Sequence, residues 1–152
     1  MKLEGNYVIN ASCTRVYAAI GNPSVLALCV SNIKSIETES EGVFKVVLDI
    51  SVGIVKGTLR GKIKLLNPRP NQAVTIKVEM QTPVGRLSGT GDLTLNDISN
   101  KKKEMTQINW SSKSPLGVLV AILGSQTVIS VAQSQADLFF SKLEIELQKS
   151  EG

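Results

Sequence analysis

The sequence predicts an α+β fold: one strand, two short helices, a six-strand antiparallel meander and a long terminal helix. Between Phe44 and Ser112 apolar and polar residues alternate with period two, the mark of strands with one wet and one dry face. From Leu123 to Lys149 the apolar spacing changes to three and four, which is the period of an amphipathic helix. Turn residues then divide the alternating stretch at the short intervals a meander needs. These are Ser51-Val52-Gly53, Asn67-Pro68-Arg69-Pro70-Asn71 and Pro83-Val84-Gly85.

Leu3 to Asn10 alternates and reads as the first strand. Ser12 or Thr14 can cap a helix over Arg15–Ile20, and Pro23 stands where a second short helix, Ser24–Val30, would begin. In the meander, Phe44, Val46, Leu48 and Ile50 share one face, followed by Val55, Leu59, Ile63 and Leu65. Val74, Ile76, Val78 and Met80 continue that face, then Leu87, Leu93 and Leu95, and finally Ile108 and Trp110. Pro115-Leu116-Gly117 leads out of the last strand. On the terminal helix Val128, Ile129, Ala132, Ala136, Phe139, Phe140, Leu143 and Leu147 form the apolar stripe. Ser130, Gln133, Ser134, Asp137, Ser141, Glu144 and Gln148 lie opposite. No linker, repeat or composition break interrupts residues 1–152, so a single domain is expected.

Composition narrows the chemistry. The chain has 152 residues and no histidine, which removes the commonest general base and the commonest metal ligand together. Its two cysteines, Cys13 and Cys29, lack CxxC spacing and read as reduced thiols, so neither a metal nor a cofactor is expected. Asp49, Glu79 and Asp92 fall on wet strand faces among lysines and read as solvated pairs. Ser31-Asn32-Ile33-Lys34 meets a Ser-x-x-Lys spacing, but at a loop-to-strand transition rather than a helix start. No catalytic constellation can be assembled, and a non-enzymatic protein is expected.

The net charge is +4, and the only basic run, Lys101-Lys102-Lys103, sits in a hairpin loop with few aromatics to stack bases. Nucleic acid is therefore not an expected partner, and at most that loop offers peripheral attraction to anionic headgroups. The apolar run Leu116–Leu123 is too short to span a bilayer, and the first residues lack the apolar run of a signal peptide. The expected location is cytoplasmic, where the triplets at Asn10 and Asn109 carry no glycan.

Gly57, Gly61, Gly85, Gly89 and Gly91 fall in phase with the dry face. Two readings fit. Glycines let a long sheet curve around a helix, and missing side chains also leave space between sheet and helix. Ala132 and Ala136 at the middle of the stripe suit either.

These residues resemble the CoxG family of carbon monoxide dehydrogenase subunits, within the START-like and Bet v 1-like helix-grip superfamily. The likeness lies in Leu3-Glu4-Gly5 with Tyr7 and Ile9, Val16-Tyr17-Ala18-Ala19-Ile20, and Asn22-Pro23 with Val25-Leu26 and Cys29. It continues in Val52-Gly53 with Val55-Lys56, Gly61-Lys62-Ile63, Gly85, Gly89 and Gly91 with Leu93 and Leu95, and ends in Leu123-Gly124-Ser125 and Phe139-Phe140. Where the family usually has Pro-Gly after the cysteine, this chain has Ser31-Asn32. Some members continue into a membrane-anchoring tail, whereas this sequence stops at Gly152, so permanent anchoring is not expected.

The resemblance implies a helix-grip fold. In it a curved seven-stranded antiparallel sheet wraps a long C-terminal helix, with two short helices after strand 1 and a deep cavity for lipids, sterols or quinones. It also implies an accessory role beside a molybdenum-containing carbon monoxide dehydrogenase, so a molybdenum hydroxylase is the protein partner implied. The expected ligand-binding residues are Val46, Leu48, Leu59, Met80, Leu87, Trp110, Val128, Ala132 and Ala136. Each of them would serve equally well as plain core. The Trp110 indole N–H is available to orient an apolar small molecule, lipid or quinone-like, held near the two short helices and the hairpin at Val52–Gly57. The competing expectation is an adaptor or membrane-recruitment factor with no stoichiometric ligand.

Overall fold

The computed structural model describes residues 2–52, 54–82, 85–113 and 123–149. Strand β1 (Lys2–Ile9) is followed by α1 (Cys13–Ile20) and α2 (Pro23–Cys29). Then come β2 (Ile33–Ser40), β3 (Val43–Val52), β4 (Val55–Arg69), β5 (Ala73–Thr82), β6 (Gly85–Asp97), β7 (Thr106–Lys113) and the helix α3 (Ser125–Lys149). One seven-stranded sheet results, in the order β1-β7-β6-β5-β4-β3-β2, with every neighbouring pair antiparallel. Gly53, Pro83-Val84 and Pro115-Leu116-Gly117 lie outside the described residues, as does the apolar run from Leu116 up to position 122.

Local chemistry sets the helix starts. Ser12 is the cap of α1, its hydroxyl accepting from the Arg15 N–H at 3.2 Å, so the helix begins earlier than Arg15. Asn22 caps α2 by accepting from the Ser24 N–H at 2.9 Å, with Pro23 in the first turn where its missing N–H costs nothing. The expected loop at Asn67–Asn71 is shorter than the residue types suggested. Strand β4 runs on to Arg69 through a register shift between Leu66 and Arg69, with Asn67 at φ 49° absorbing the irregularity.

The residue after Ser31 also takes the left-handed conformation, Asn32 having φ 60°. Asparagine tolerates that region where other side chains collide with the backbone. Ser31-Asn32 thus keeps the left-handed step that the Pro-Gly of the related pattern would make. Asn32→Ala is expected to destabilise the protein by about 1 kcal/mol and Asn32→Gly to leave it near parental stability. Urea midpoints of the three proteins decide this.

The period-two phase holds across the sheet. Phe44, Val46, Leu59, Val74, Met80, Leu87, Leu93, Leu95 and Ile108 are buried, while Lys45, Arg60, Arg86, Ser88 and Thr94 are exposed. The helix phase holds as well. Val128, Phe140, Leu143 and Leu147 are buried, with Ala132, Ala136 and Phe139 half-buried beside them. Ser130 and Asp137 are exposed, and Glu144 is half-buried because it turns back toward β1.

Two packed clusters result. The larger joins Ile9, Val16, Ile20, Val74, Leu95 and Ile108 to Phe140, Leu143 and Leu147 of α3. The smaller joins Val46, Leu59, Met80 and Leu87 to Val128, near the start of the same helix.

Polar tethers hold the C-terminal half of α3. Glu144 accepts from the Asn10 N–H at 3.1 Å, and Gln148 donates to the Asn10 carbonyl at 2.8 Å. Arg15 donates to the Leu147 carbonyl near the helix end, where unpaired carbonyls favour a cation. Below them the hydroxyl of buried Thr106 donates to the Ala11 carbonyl at 2.7 Å, joining β7 to the turn before α1.

Candidate functional site: an apolar cavity beneath the long helix

Between the two clusters the sheet and α3 do not meet, and a cavity of about 430 Å³ remains. That volume is within the range of small-molecule sites. The sheet supplies Leu3, Leu48, Ile63, Leu65, Ile76, Val78, Met80, Leu93 and Trp110, together with Gly89 and Gly91. Helix α3 supplies Ala132, Gln135, Ala136, Phe139 and Phe140. Ile20 of α1, Leu26 and Cys29 of α2, and the turn residues Val30 and Ser31 close one end.

The inward glycines divide into kinds. A Cβ on Gly91 would meet only the Ser111 carbonyl oxygen, at 3.7 Å, so this glycine leaves open space on the cavity wall. A Cβ on Gly61 would collide with the Glu79 carbonyl oxygen and lie 2.8 Å from Met80 Cα. That glycine is required by close approach of β5, not by the cavity. Gly57 and Gly85 have φ 138° and 127°, which side chains rarely adopt. Curvature and cavity are both served, at different positions.

Of the residues expected from sequence, Leu48, Met80, Trp110, Ala132 and Ala136 are on the cavity wall. Val46, Leu59, Leu87 and Val128 are instead packed together in the smaller cluster beside it. Sequence reasoning missed the contribution of α1, α2 and the Val30-Ser31 turn. Val25, Leu26 and Cys29 are spaced as an inward helix face, but only the tertiary arrangement shows what that face covers. The hairpin at 52–57 contributes none of the described lining residues.

Electrostatics within the wall are sparse. Burial pushes the Cys29 thiol up, the Glu146 carboxylate adds to the rise and Lys142 opposes it, so the thiolate is disfavoured. Both cysteines are free, and among the described residues no group of three His, Cys, Asp or Glu could hold a metal ion. On the outer face Asp49 pairs with Lys34 at 3.6 Å, and Glu79 with Lys77 at 3.2 Å and Lys64 at 3.5 Å. Asp92 accepts from the Thr75 hydroxyl at 2.7 Å. A broader outer concavity beside Glu4, Asn6, Asp92 and Asn109 is polar-walled and has none of the apolar enclosure found under α3.

Tyr7 links sheet to helix beside the cavity. Its ring stacks on Phe140 with centroids 4.5 Å apart, and its hydroxyl donates to Asp137. Burial, then the Asp137 hydrogen bond and charge, raise the phenol pKa from 10.0 to about 12. Trp110 lies near enough to oppose this rise, but its indole Nε1 completes no hydrogen bond. The folded protein holds the phenol proton more tightly than the unfolded chain does. Stability from this group is therefore fully present below pH 10.0 and lost as pH rises toward about 12. Tyr7→Phe is expected to cost about 1 kcal/mol at neutral pH and to remove this component of the alkaline loss. Urea midpoints at neutral pH and across the alkaline range measure both.

A long helix gripped by a seven-stranded antiparallel sheet, over an apolar cavity, defines a START-like helix-grip protein. Solved structures agree. A START superfamily protein from Mycobacterium smegmatis is 10% identical with TM-score 0.66, over 97% of both chains. The Zhui aromatase/cyclase from Streptomyces sp. R1128 is 13% identical with TM-score 0.68, over 100% of this chain and 96% of that one. At those identities the likeness is one of fold. A conserved protein from Geobacillus kaustophilus is more similar, at 25% identity and TM-score 0.88, over 99% of this chain and 97% of its own. No curated protein matches. Residues 5–148 match the family of the carbon monoxide dehydrogenase protein CoxG, and the chain belongs to that family.

Proposed function

We propose that this protein binds an apolar small molecule, lipid or quinone-like, in the cavity beneath α3. In this reading it acts without catalysis of its own, as an accessory to a molybdenum-containing carbon monoxide dehydrogenase. The observation carrying the ligand is the 430 Å³ space with its almost wholly apolar wall. Removing ligand surface from water there contributes roughly 25 cal/mol per Å². The dehydrogenase partner rests on membership of the CoxG family. Among the described residues no helix is long and apolar enough to cross a membrane, consistent with at most peripheral contact.

Native mass spectrometry of gently purified protein, followed by solvent extraction, tests the ligand directly. The expected result is a mass increment that disappears on extraction and returns as an apolar compound. A chain that carries nothing and gains no thermal stability from any fatty acid or quinone defeats the reading. An adaptor role would then be favoured by the apolar outer surface, where Ile54 at the β3–β4 tip is 79% exposed and Leu28 of α2 is 58% exposed.

A further inference from the structure

Among the described residues, two buried side-chain polar atoms have no hydrogen-bond partner: Ser31 Oγ and Trp110 Nε1. Both residues line the cavity. Ser31 stands in the turn after α2, with Asn32 at φ 60° fixing the chain direction behind it. Trp110 reaches the cavity from β7, its indole lying over Gly5, where a Cβ would come within 2.7 Å of Nε1. Leaving a buried donor unsatisfied is costly, and most buried polar groups in folded proteins have partners. Two orphans that coincide with one apolar cavity share one explanation.

We infer that the cavity ligand carries a hydrogen-bond-accepting oxygen of the carbonyl type, and that Ser31 and Trp110 are the polar residues that select it. The acceptor character follows from Trp110, since an indole N–H can only donate, and a serine hydroxyl can donate as well. A plain hydrocarbon would fill the volume and satisfy neither group. This inference rests on the reading of the cavity as a ligand site.

The test uses the full chain and two probes of nearly equal shape, acetylnaphthalene and ethylnaphthalene, which differ in one carbonyl. Trp110 is the single tryptophan, so its fluorescence reports occupancy in the parent and in Ser31→Ala. Calorimetry serves for Trp110→Phe. Ser31→Ala is expected to weaken acetylnaphthalene about fivefold, the size of one ordinary hydrogen bond, and to leave ethylnaphthalene unchanged. Trp110→Phe should act in the same selective way.

The melting temperature of unliganded Ser31→Ala should not fall, because the hydroxyl removed has no protein partner. If both probes bind and their affinity ratio is the same in parent and variants, the carbonyl assignment is overturned while the cavity reading stands. If neither probe binds the parent, the cavity reading fails and this inference fails with it. A clear drop in the unliganded melting temperature of Ser31→Ala would show a structural role and overturn the assignment of Ser31.

Discussion

Ala132→Phe is expected to abolish uptake of a fatty-acid or quinone probe while lowering the melting temperature only slightly. Ala132 is half-buried on α3 and lies on the cavity wall one turn before Ala136. The sheet contributes Gly89 and Gly91 to the same wall, so the centre is bounded by small residues. An added ring enters existing space and displaces ligand rather than protein. Were the region solid core, the same change would overpack it and cost about 1–3 kcal/mol. Thermal melts of parent and variant with and without probe separate the two cases. A large drop in the variant, together with no probe-induced stabilisation of the parent, would leave only an adaptor role.

The largest loss of stability is expected from Gly61→Ala. The added methyl has no flexible neighbour to push aside, because the atoms it meets include the Glu79 carbonyl oxygen and Met80 Cα. Relief requires moving β5 away from β4 where Gly61 pairs with Met80. The cost should be about 3 kcal/mol, at the upper end for overpacking. Gly91→Ala, in phase with it two strands away, should cost well under 1 kcal/mol, since its added methyl makes only ordinary contact. Urea denaturation of the pair gives the comparison directly. Equal losses would mean that the two glycines serve the same purpose.

The contrast between Gly61 and Gly91 marks how far the sequence could be read. Side-chain period alone placed both on the dry face, because a one-residue slip would turn every side chain outward. Whether backbone or empty space fills the position of a missing side chain depends on the neighbouring strand, which period does not encode. For the same reason Leu48, Met80 and Trp110 reach the cavity while Val46, Leu59 and Leu87, in phase with them, are sealed in the smaller cluster. Ser31 was visible only as part of a chance Ser-x-x-Lys spacing. Its importance emerges when α2 is packed across the end of the sheet. The continuation of β4 past Asn67 was hidden by residue types that usually mark turns, here used for a bulge.

The pairing of β1 with β7 has a consequence for how quickly the native state is reached. Strands β2 to β7 join neighbours in sequence and can zip through local hairpins. Strand β1 cannot, because Leu3 must find Ser112 and Ile9 must find Thr106. Until β7 exists, the earliest segment made is a strand without an edge to join, and α3 lacks the Asn10 groups to which Glu144 and Gln148 attach. Closing so distant a contact is entropically slow, and topologies dominated by such contacts fold slowly. On a ribosome, the first strand waits for nearly the whole chain before the grip can close.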